Sequence, residues 1–329
     1  MSDPLWITEA DVAAAVDLTD TRAAVHAAFA APEAVTLEKT AVTYGVDGAA
    51  GGGEATLHAL GGVTGGITGT KTWAHTPGGA SPLLVLWDSA AGTLLAVVEA
   101  FALGQLRTAS VSAVATDAMA PPSADVLAIV GTGKQALAQV AAVAAVRPLR
   151  EVRAFSPTAE NRQRFCHTVA ERLPGVHVVD CRSVAEAADG AGVVTTATRA
   201  TDAVLDNSVL IADAHVNAIG AITPERRELA PSVVKVASLV VSDSPAAATT
   251  LSAELDFADD VVPLSAVVAS GAARPAGVSV FKAMGSGLAD VAVGALVLER
   301  VRAAGGGRPF PSPVKAAPRL FQQLVGGAA

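Results

Sequence analysis

The chain is poor in aromatic residues, in cysteine and in charge. Phe, Trp and Tyr make up 4% of its 329 residues, and charged residues 16%. With so few large rings, alanine and valine carry an apolar share of 51%. That composition suits helices and buried parallel strands better than an all-β shell. Cys166 and Cys181 are the only cysteines, and they show neither a CxxC pair nor a metal-type spacing. A reduced compartment without a structural disulfide is expected. The six histidines, His26, His58, His75, His167, His177 and His215, include no HxxxH pair, so no metal site is expected. Basic charge is not in excess either. A net charge of −8 argues against binding along a nucleic-acid backbone. Mean hydropathy is positive, +0.45, yet long apolar runs are missing. The longest apolar region, Leu94 to Ala115, is interrupted by Glu99, Gln105 and Arg107, and no uncharged run reaches the roughly 18 residues of a membrane span. The start, "MSDPLWITEADV", is acidic and lacks the basic and apolar regions of a signal peptide. A cytoplasmic protein is expected.

What is present changes texture along the chain. "ITEADVAAAVD" and "LTDTRAAVHAAFAA" read as two short helices, each opened by a Thr or Asp cap. From Val35 to Val98, segments such as "EKTAVTYGV", "ATLHALGG", "GITGTKTWAH" and "PLLVLWDSAAGTLLAVVEA" read as strands separated by Gly, Pro and Asp turns, with "DSAAGT" as a hairpin. The glycine cluster "DGAAGGGE" (47–54) reads as a loop tip, because no strand-to-helix context surrounds it. "LGQLRTASVSAVATDAMA" is a helix that stops at Pro121–Pro122, a natural domain boundary. Beyond it the pattern is βαβ, with strands expected at Val126–Val130, Glu151–Phe155, His177–Val179, Gly192–Thr196, His215–Ile219 and Leu239–Val241. Helical stretches such as "KQALAQVAAVAAV" and "AENRQRFCHTVAERL" lie between them. This alternation predicts an α/β fold with a parallel, doubly wound sheet.

The first of these strands runs into Gly131-Thr132-Gly133-Lys134-Gln135-Ala136, a G-x-G-x-x-A pattern that opens a helix. Gly131 permits the sharp turn, Gly133 lets backbone N–H groups approach a pyrophosphate, and Ala136 lets the helix sit close to the strand. The helix N-terminus adds partial positive charge. A lone pattern of this kind is weak evidence, but here it heads a βαβ series, and it predicts dinucleotide binding. The second strand ends in "RAFSPTAENR", offering Ser156, Thr158 and Arg162 and no carboxylate before Glu160. An acidic residue there would bond the ribose 2′-OH of NAD. Its absence favours NADP(H) over NAD(H).

Three separated segments, "GTLLAVVEAFALGQLRTASVSAVATDAMAPPSADVLAIVGTGKQA", "HVNAIGAITPERREL" and "SVFKAMGSGLADVAVGALV", resemble the ornithine cyclodeaminase/mu-crystallin family over nearly the whole chain. The resemblance implies a Rossmann domain (120–299) and a split N-terminal α+β substrate and dimerisation domain (1–119, completed by about 300–329). It also implies a homodimer. Members reduce ketimines, oxidise amino acids or cyclodeaminate ornithine. Their basic residues hold a substrate carboxylate, which places Lys71 of "GTKTW", Arg107 of "LRTA" and Lys39 of "LEKTAV" in that role. Lys71 would also give a proton to the substrate nitrogen. Further cofactor contacts are implied at Arg107, Thr108, Thr196, Thr198, Ala218, Gly220 and Gly285. The residues themselves make a related point. Lys71 and Arg107 sit in apolar segments, where a charge needs a partner, either an anionic ligand or a structural salt bridge to Glu99 or Asp88.

Two departures matter. Cyclodeaminases carry an aspartate just after the "N-A-x-G" strand, where this chain has Ala221 and Ile222. The "G-A-x-x-P-x-x-R-E-L" texture fits the mu-crystallin type. The family's "M-P-A" is replaced by Leu57-His58-Ala59, making His58 a candidate substrate contact or proton donor. The leading expectation is NAD(P)H-dependent reduction of a carboxylated ketimine, or the reverse amino-acid dehydrogenation. The alternatives are an ornithine-type cyclodeaminase and a non-catalytic, dinucleotide-dependent binder of small carboxylates.

Overall fold

The computed structural model describes residues 3–46 and 53–318, so most of the glycine cluster lies outside the described residues. The chain opens with β1 (Leu5–Ile7), α1 (Glu9–Ala15) and α2 (Leu18–Ala30). Both helices start at capping boxes, in which Thr8 accepts from the Asp11 N–H and Asp17 from the Asp20 N–H. Then come β2 (Val35–Val46), β3 (Gly53–Thr64), β4 (Ile67–Thr76), β5 (Gly79–Ala80), β6 (Leu83–Asp88) and β7 (Leu94–Glu99). Asp88 closes the β6–β7 hairpin by accepting the Ala90 and Ala91 N–H groups. Helix α3 (Phe101–Met119) follows and stops ahead of the proline pair, as its composition demands.

The second half runs β8 (Val126–Val130), α4 (Ala136–Ala144), β9 (Glu151–Phe155), α5 (Ala159–Arg172), β10 (His177–Asp180), α6 (Val184–Ala188), β11 (Val193–Thr196) and β12 (His215–Ala218). It continues through α7 (Pro231–Val236), β13 (Leu239–Ser242), α8 (Pro245–Leu251), β14 (Val262–Pro263), α9 (Leu264–Ser270) and β15 (Ser279–Lys282). The strand order is β10-β9-β8-β11-β12-β15-β13-β14, and every pairing is parallel. The six expected strands are found within one residue at each end. Strand β15 was not expected. Its four residues are all buried, so it shows no alternation to mark it.

The first sheet has the order β16-β1-β7-β6-β4-β3-β2 and is antiparallel except for the β1–β7 pair. It is completed by α10 (Gly287–Ala303) and β16 (Arg308–Pro309). Helix α10 packs on β3, β4, β6 and α2, so the chain returns to the first sheet at Gly287, ahead of the residue 300 anticipated from sequence. The largest core cluster joins Leu84, Leu86 and Val98 of this sheet to Leu288 and Val291 of α10 and to Ile219, Val241 and Phe281 at the second sheet. This cluster touches both sheets, while the second sheet carries two further clusters of its own, around Val194 and Val216 and around Ile129 and Val152. Among the described residues, no helix is long and apolar enough to cross a membrane.

Candidate active site

A cavity of about 870 Å³ lies between the two sheets, over the carboxyl ends of the parallel strands. The chain leaves β8 toward β9 and β10, then returns to the other side at β11. Ligands of open α/β sheets sit at such a reversal.

At the centre of the cavity floor, Gly131 ends β8 with φ +100°. A Cβ there would lie 2.5 Å from the Ala197 carbonyl oxygen, so both the angle and the close approach require glycine. At Gly133 a Cβ would meet nothing within 4 Å, and the turn is open to the cavity. The N–H groups of Thr132, Gly133, Lys134 and Gln135 donate to no group among the described residues. They form a cradle of free donors at the start of α4, which fits a pyrophosphate. Arg107, Thr108, Gly131, Thr132, Gly133, Lys134, Gln135, Ser156, Thr158, Thr198, Gly220 and Gly285 all line the cavity. Asn161, Arg199 and Arg226, which sequence reasoning missed, line it as well.

Three expected cofactor contacts are placed elsewhere. Arg162 ion-pairs with Asp180 at the end of β10 and donates to the Ser156 carbonyl at 2.7 Å. Its guanidinium holds the Ser156 turn from behind and is not on the cavity wall. Thr196 and Ala218 are the last residues of β11 and β12 and are buried. The next residues along the chain, Ala197 and Thr198 and then Ile219 and Gly220, reach the cavity in their stead. Thr132 and Ser156 share a hydroxyl hydrogen bond of 2.9 Å, tying the cradle to the end of β9.

The other end of the cavity is cationic. Arg107 enters from α3 and Lys39 from β2. Arg107 donates through Nε to Asp290 Oδ1 at 2.9 Å. Its terminal nitrogens have no hydrogen-bond partner among the described residues and lie beside Gly285. Lys71 is buried below the wall and donates to the same Asp290 Oδ1 at 2.6 Å. It is not among the lining residues. The salt-bridge partner is thus Asp290, at the start of α10, and neither Glu99 nor Asp88. Glu99 instead accepts from Trp6 and Glu9. The only sequence signal for Asp290 is a lone carboxylate in the apolar "GSGLADVAVGALV". Burial, reinforced by the Arg107 charge, pushes the Lys71 ammonium down to about 8. Lys39 is also lowered, by burial and then by Arg107. Asp243, another lining residue that was missed, accepts the Met284 and Gly285 N–H groups at 2.7 and 3.1 Å. Burial raises its pKa.

His58 does not reach the wall. Its ring stacks on Trp73, with centroids 4.6 Å apart, and Trp73 lines the cavity in its place. Burial and the nearby Lys39 hold His58 at about 4. It is neutral at pH 7, so an imidazolium proton donor is not available there. Ile222 lines the cavity where a cyclodeaminase aspartate is expected.

The sequence pattern described as "Ornithine cyclodeaminase/mu-crystallin family" matches residues 68–305. The ketimine reductase mu-crystallin of Mus musculus is 37% identical over 221 residues, which cover 66% of this chain and 68% of that protein. The Delta(1)-pyrroline-2-carboxylate reductase of Bacillus cereus is 29% identical over 230 residues, covering 66% and 70%. Among solved structures, the iminosuccinate reductase of Paracoccus denitrificans in complex with NAD+ has a TM-score of 0.84 at 25% identity, covering 93% of this chain and 98% of that one. The probable ornithine cyclodeaminase from Bordetella pertussis Tohama I has a TM-score of 0.81 at 28% identity, covering 93% and 99%. With the pattern matching most of its length and its motifs in the same order, the chain belongs to the ornithine cyclodeaminase/mu-crystallin family, nearer its mu-crystallin than its cyclodeaminase members.

Proposed function

We propose that this chain, an NAD(P)-dependent oxidoreductase, reduces a carboxylated ketimine to the amino acid, or runs the same reaction in reverse. The observation that carries this reading is the Arg107 guanidinium. Its terminal nitrogens have no hydrogen-bond partner among the described residues and face the cavity that also holds the dinucleotide cradle. A bound nicotinamide would supply the hydride. The chain supplies position and charge. The Arg107 terminal N–H groups donate to a substrate carboxylate in a forked contact, and Lys39 adds a second positive charge. Asp290 fixes the Arg107 Nε, so the fork is aimed before substrate arrives. Lys71 holds Asp290 in turn and acts as a positioning residue, since it lies behind the wall. The absence of a carboxylate at Ile222 disfavours ornithine cyclodeamination.

We further propose that NADPH is preferred to NADH. No carboxylate stands between the end of β9 and Glu160 to repel a 2′-phosphate, and Ser156 and Thr158 line the cavity. With Arg162 committed to Asp180, hydroxyl hydrogen bonds of about 1 kcal/mol each would set a modest preference, on the order of tenfold. The protein is proposed to act as a homodimer. Strands β6 and β7 offer no apolar face for the contact, because Leu84, Leu86, Ala96 and Val98 are buried against the core. Among the described residues, the large apolar side chains exposed on the first sheet are Val35, Leu37, Val42 and Tyr44 on β2 and Leu57 on β3.

The test is to follow NADPH and NADH absorbance against a panel of cyclic and acyclic imino acids, with ornithine-dependent ammonia release assayed in parallel. Turnover of at least one imino acid is expected, without ammonia from ornithine. Ammonia release would favour the cyclodeaminase reading. Dinucleotide binding without turnover on any imino acid would favour a small-ligand binder.

A further inference from the structure

The segment "PERREL" carries a carboxylate that the reaction does not use. Glu228 is fully buried. Its Oε1 accepts the Thr198 N–H at 2.5 Å, and its Oε2 accepts the N–H groups of Gly220 at 2.7 Å and Ala221 at 3.2 Å. Among the described residues, no cation pairs with it within 4 Å. A buried charge without a counter-ion is costly unless hydrogen bonds satisfy it. Here the bonds come from the backbone of two different loops, one following β11 and one following β12. Gly220 is fitted to this arrangement, because a Cβ there would lie 2.2 Å from the Thr198 carbonyl oxygen and 2.5 Å from Glu228 Oε1.

Glu228 is itself held from behind. Its carbonyl accepts the Val204 and Leu205 N–H groups, each at 2.9 Å. The Glu254 carboxylate accepts the N–H groups of Glu228 and Leu229, and Lys282 pairs with Glu254 in full burial. The far end of this chain of contacts is the last residue of β15. The near end is the pair of cavity-lining residues Thr198 and Gly220.

We infer that Glu228 is a positioning residue for the nicotinamide half of the cofactor. The inference rests on the dinucleotide reading of the cavity. Strand order assigns the halves. The pyrophosphate cradle lies at β8, and the adenosine side extends over β9 toward Ser156 and Thr158. The nicotinamide side must then lie over β11 and β12, on the two loops that Glu228 clamps. One carboxylate fixes the spacing between them, and so fixes where the ring rests relative to Arg107.

Glu228→Gln tests this. The side chain keeps its size, but only its oxygen can accept, and its NH₂ group must face one of the two loops as a donor against a donor. Three measurements are made on wild type and variant: melting temperature, affinity for NADPH and NADH, and affinity for ADP-ribose and its 2′-phosphate, which lack nicotinamide. The expected result is at least tenfold weaker binding of the whole dinucleotide, with binding of the ADP-ribose ligands unchanged within twofold. Equal weakening of both ligand types, or a lowered melting temperature with both affinities intact, would overturn the assignment in favour of a general structural role. If the wild type binds no dinucleotide at all, the cavity reading itself fails. The wild type alone offers a further check that does not depend on the variant folding. Without ligand, the amides of Thr198 and Gly220 should exchange as slowly as those of β11 and β12, and rapid exchange there would count against the clamp.

Discussion

Lys71 and Arg107 lean on a single oxygen of Asp290, while Asp290 Oδ2 is buried with no hydrogen-bond partner among the described residues. Three cations, Lys71, Arg107 and Lys39, stand there against the carboxylates of Asp290 and Asp243, which leaves positive charge at that end of the cavity. An anion is what such a site lacks. Lys71→Met removes one cation and loosens Asp290, so the Arg107 fork loses its aim. The expected loss is about 1.5–3 kcal/mol, roughly ten- to a hundredfold in kcat/KM, with NADPH affinity changed less than threefold. Full activity in the variant would show that Arg107 needs no such support. The pH dependence has a definite sign. Lys71 titrates at about 8, below its ordinary value, because burial disfavours the ammonium. It is charged below that pH and neutral above it, so kcat/KM should fall as pH rises through about 8. That limb should vanish in Lys71→Met. At the opposite end of the cavity, Ser156→Asp places a carboxylate against the 2′-phosphate and turns its cradle toward a ribose hydroxyl. We expect the NADPH preference to reverse, by about 2 kcal/mol or more in relative affinity. Fluorescence titration of both cofactors measures it, and an unchanged ratio would place the phosphate elsewhere.

The edge of the first sheet supports a prediction about assembly. Val42 and Leu57 are cross-strand partners on β2 and β3, exposed by 65% and 49%. With Tyr44, Val35 and Leu37 nearby, they make an apolar strip that water covers in a single chain. A double change, Val42→Glu with Leu57→Glu, should convert a dimer to a monomer by light scattering at micromolar concentration. Because both side chains are exposed, the melting temperature of the monomer should not collapse through the core. A wild type that is already monomeric would remove the premise. Elements were legible in the sequence where local signals suffice. The Thr and Asp caps of the first two helices, the proline stop of α3 and the short apolar runs of β8 to β13 are of this kind. What escaped was set by distant packing. Which face of β6 and β7 is covered depends on α10, and α10 lies two hundred residues further along the chain. Asp290 escaped for the same reason. Glu99 and Asp88 are the acids near Lys71 in the sequence, whereas its bond to Asp290 spans 219 residues. Arg162 had the right chemistry and the right neighbourhood, but Asp180, on the adjacent strand, takes its guanidinium.

At the scale of the whole molecule, the sequence suggests two domains split at a proline pair, but the packing argues for a single cooperative unit. Leu103, Val111, Val114 and Met119 of α3 lie in the same core as Phe281 and Val241 of the second sheet and Leu288, Val291 and Leu298 of α10. Neither sheet could keep this core alone, because α3 packs on β12 and β15 of the second sheet, α10 packs on β2, β3, β4 and β6 of the first, and the two helices pack on each other. The cavity wall draws on both halves too, with Lys39 and Arg107 on one side and Gly131, Ser156 and Gly220 on the other. A ligand that spans them should therefore stabilise both halves together. Calorimetry should show one unfolding transition. NADPH at about a hundred times its dissociation constant should add roughly 2.7 kcal/mol to the stability of the whole, moving the entire transition upward. Two resolved transitions, or an NADPH shift confined to one of them, would mean that the sheets unfold separately. The cavity would then be a joint between two independent bodies.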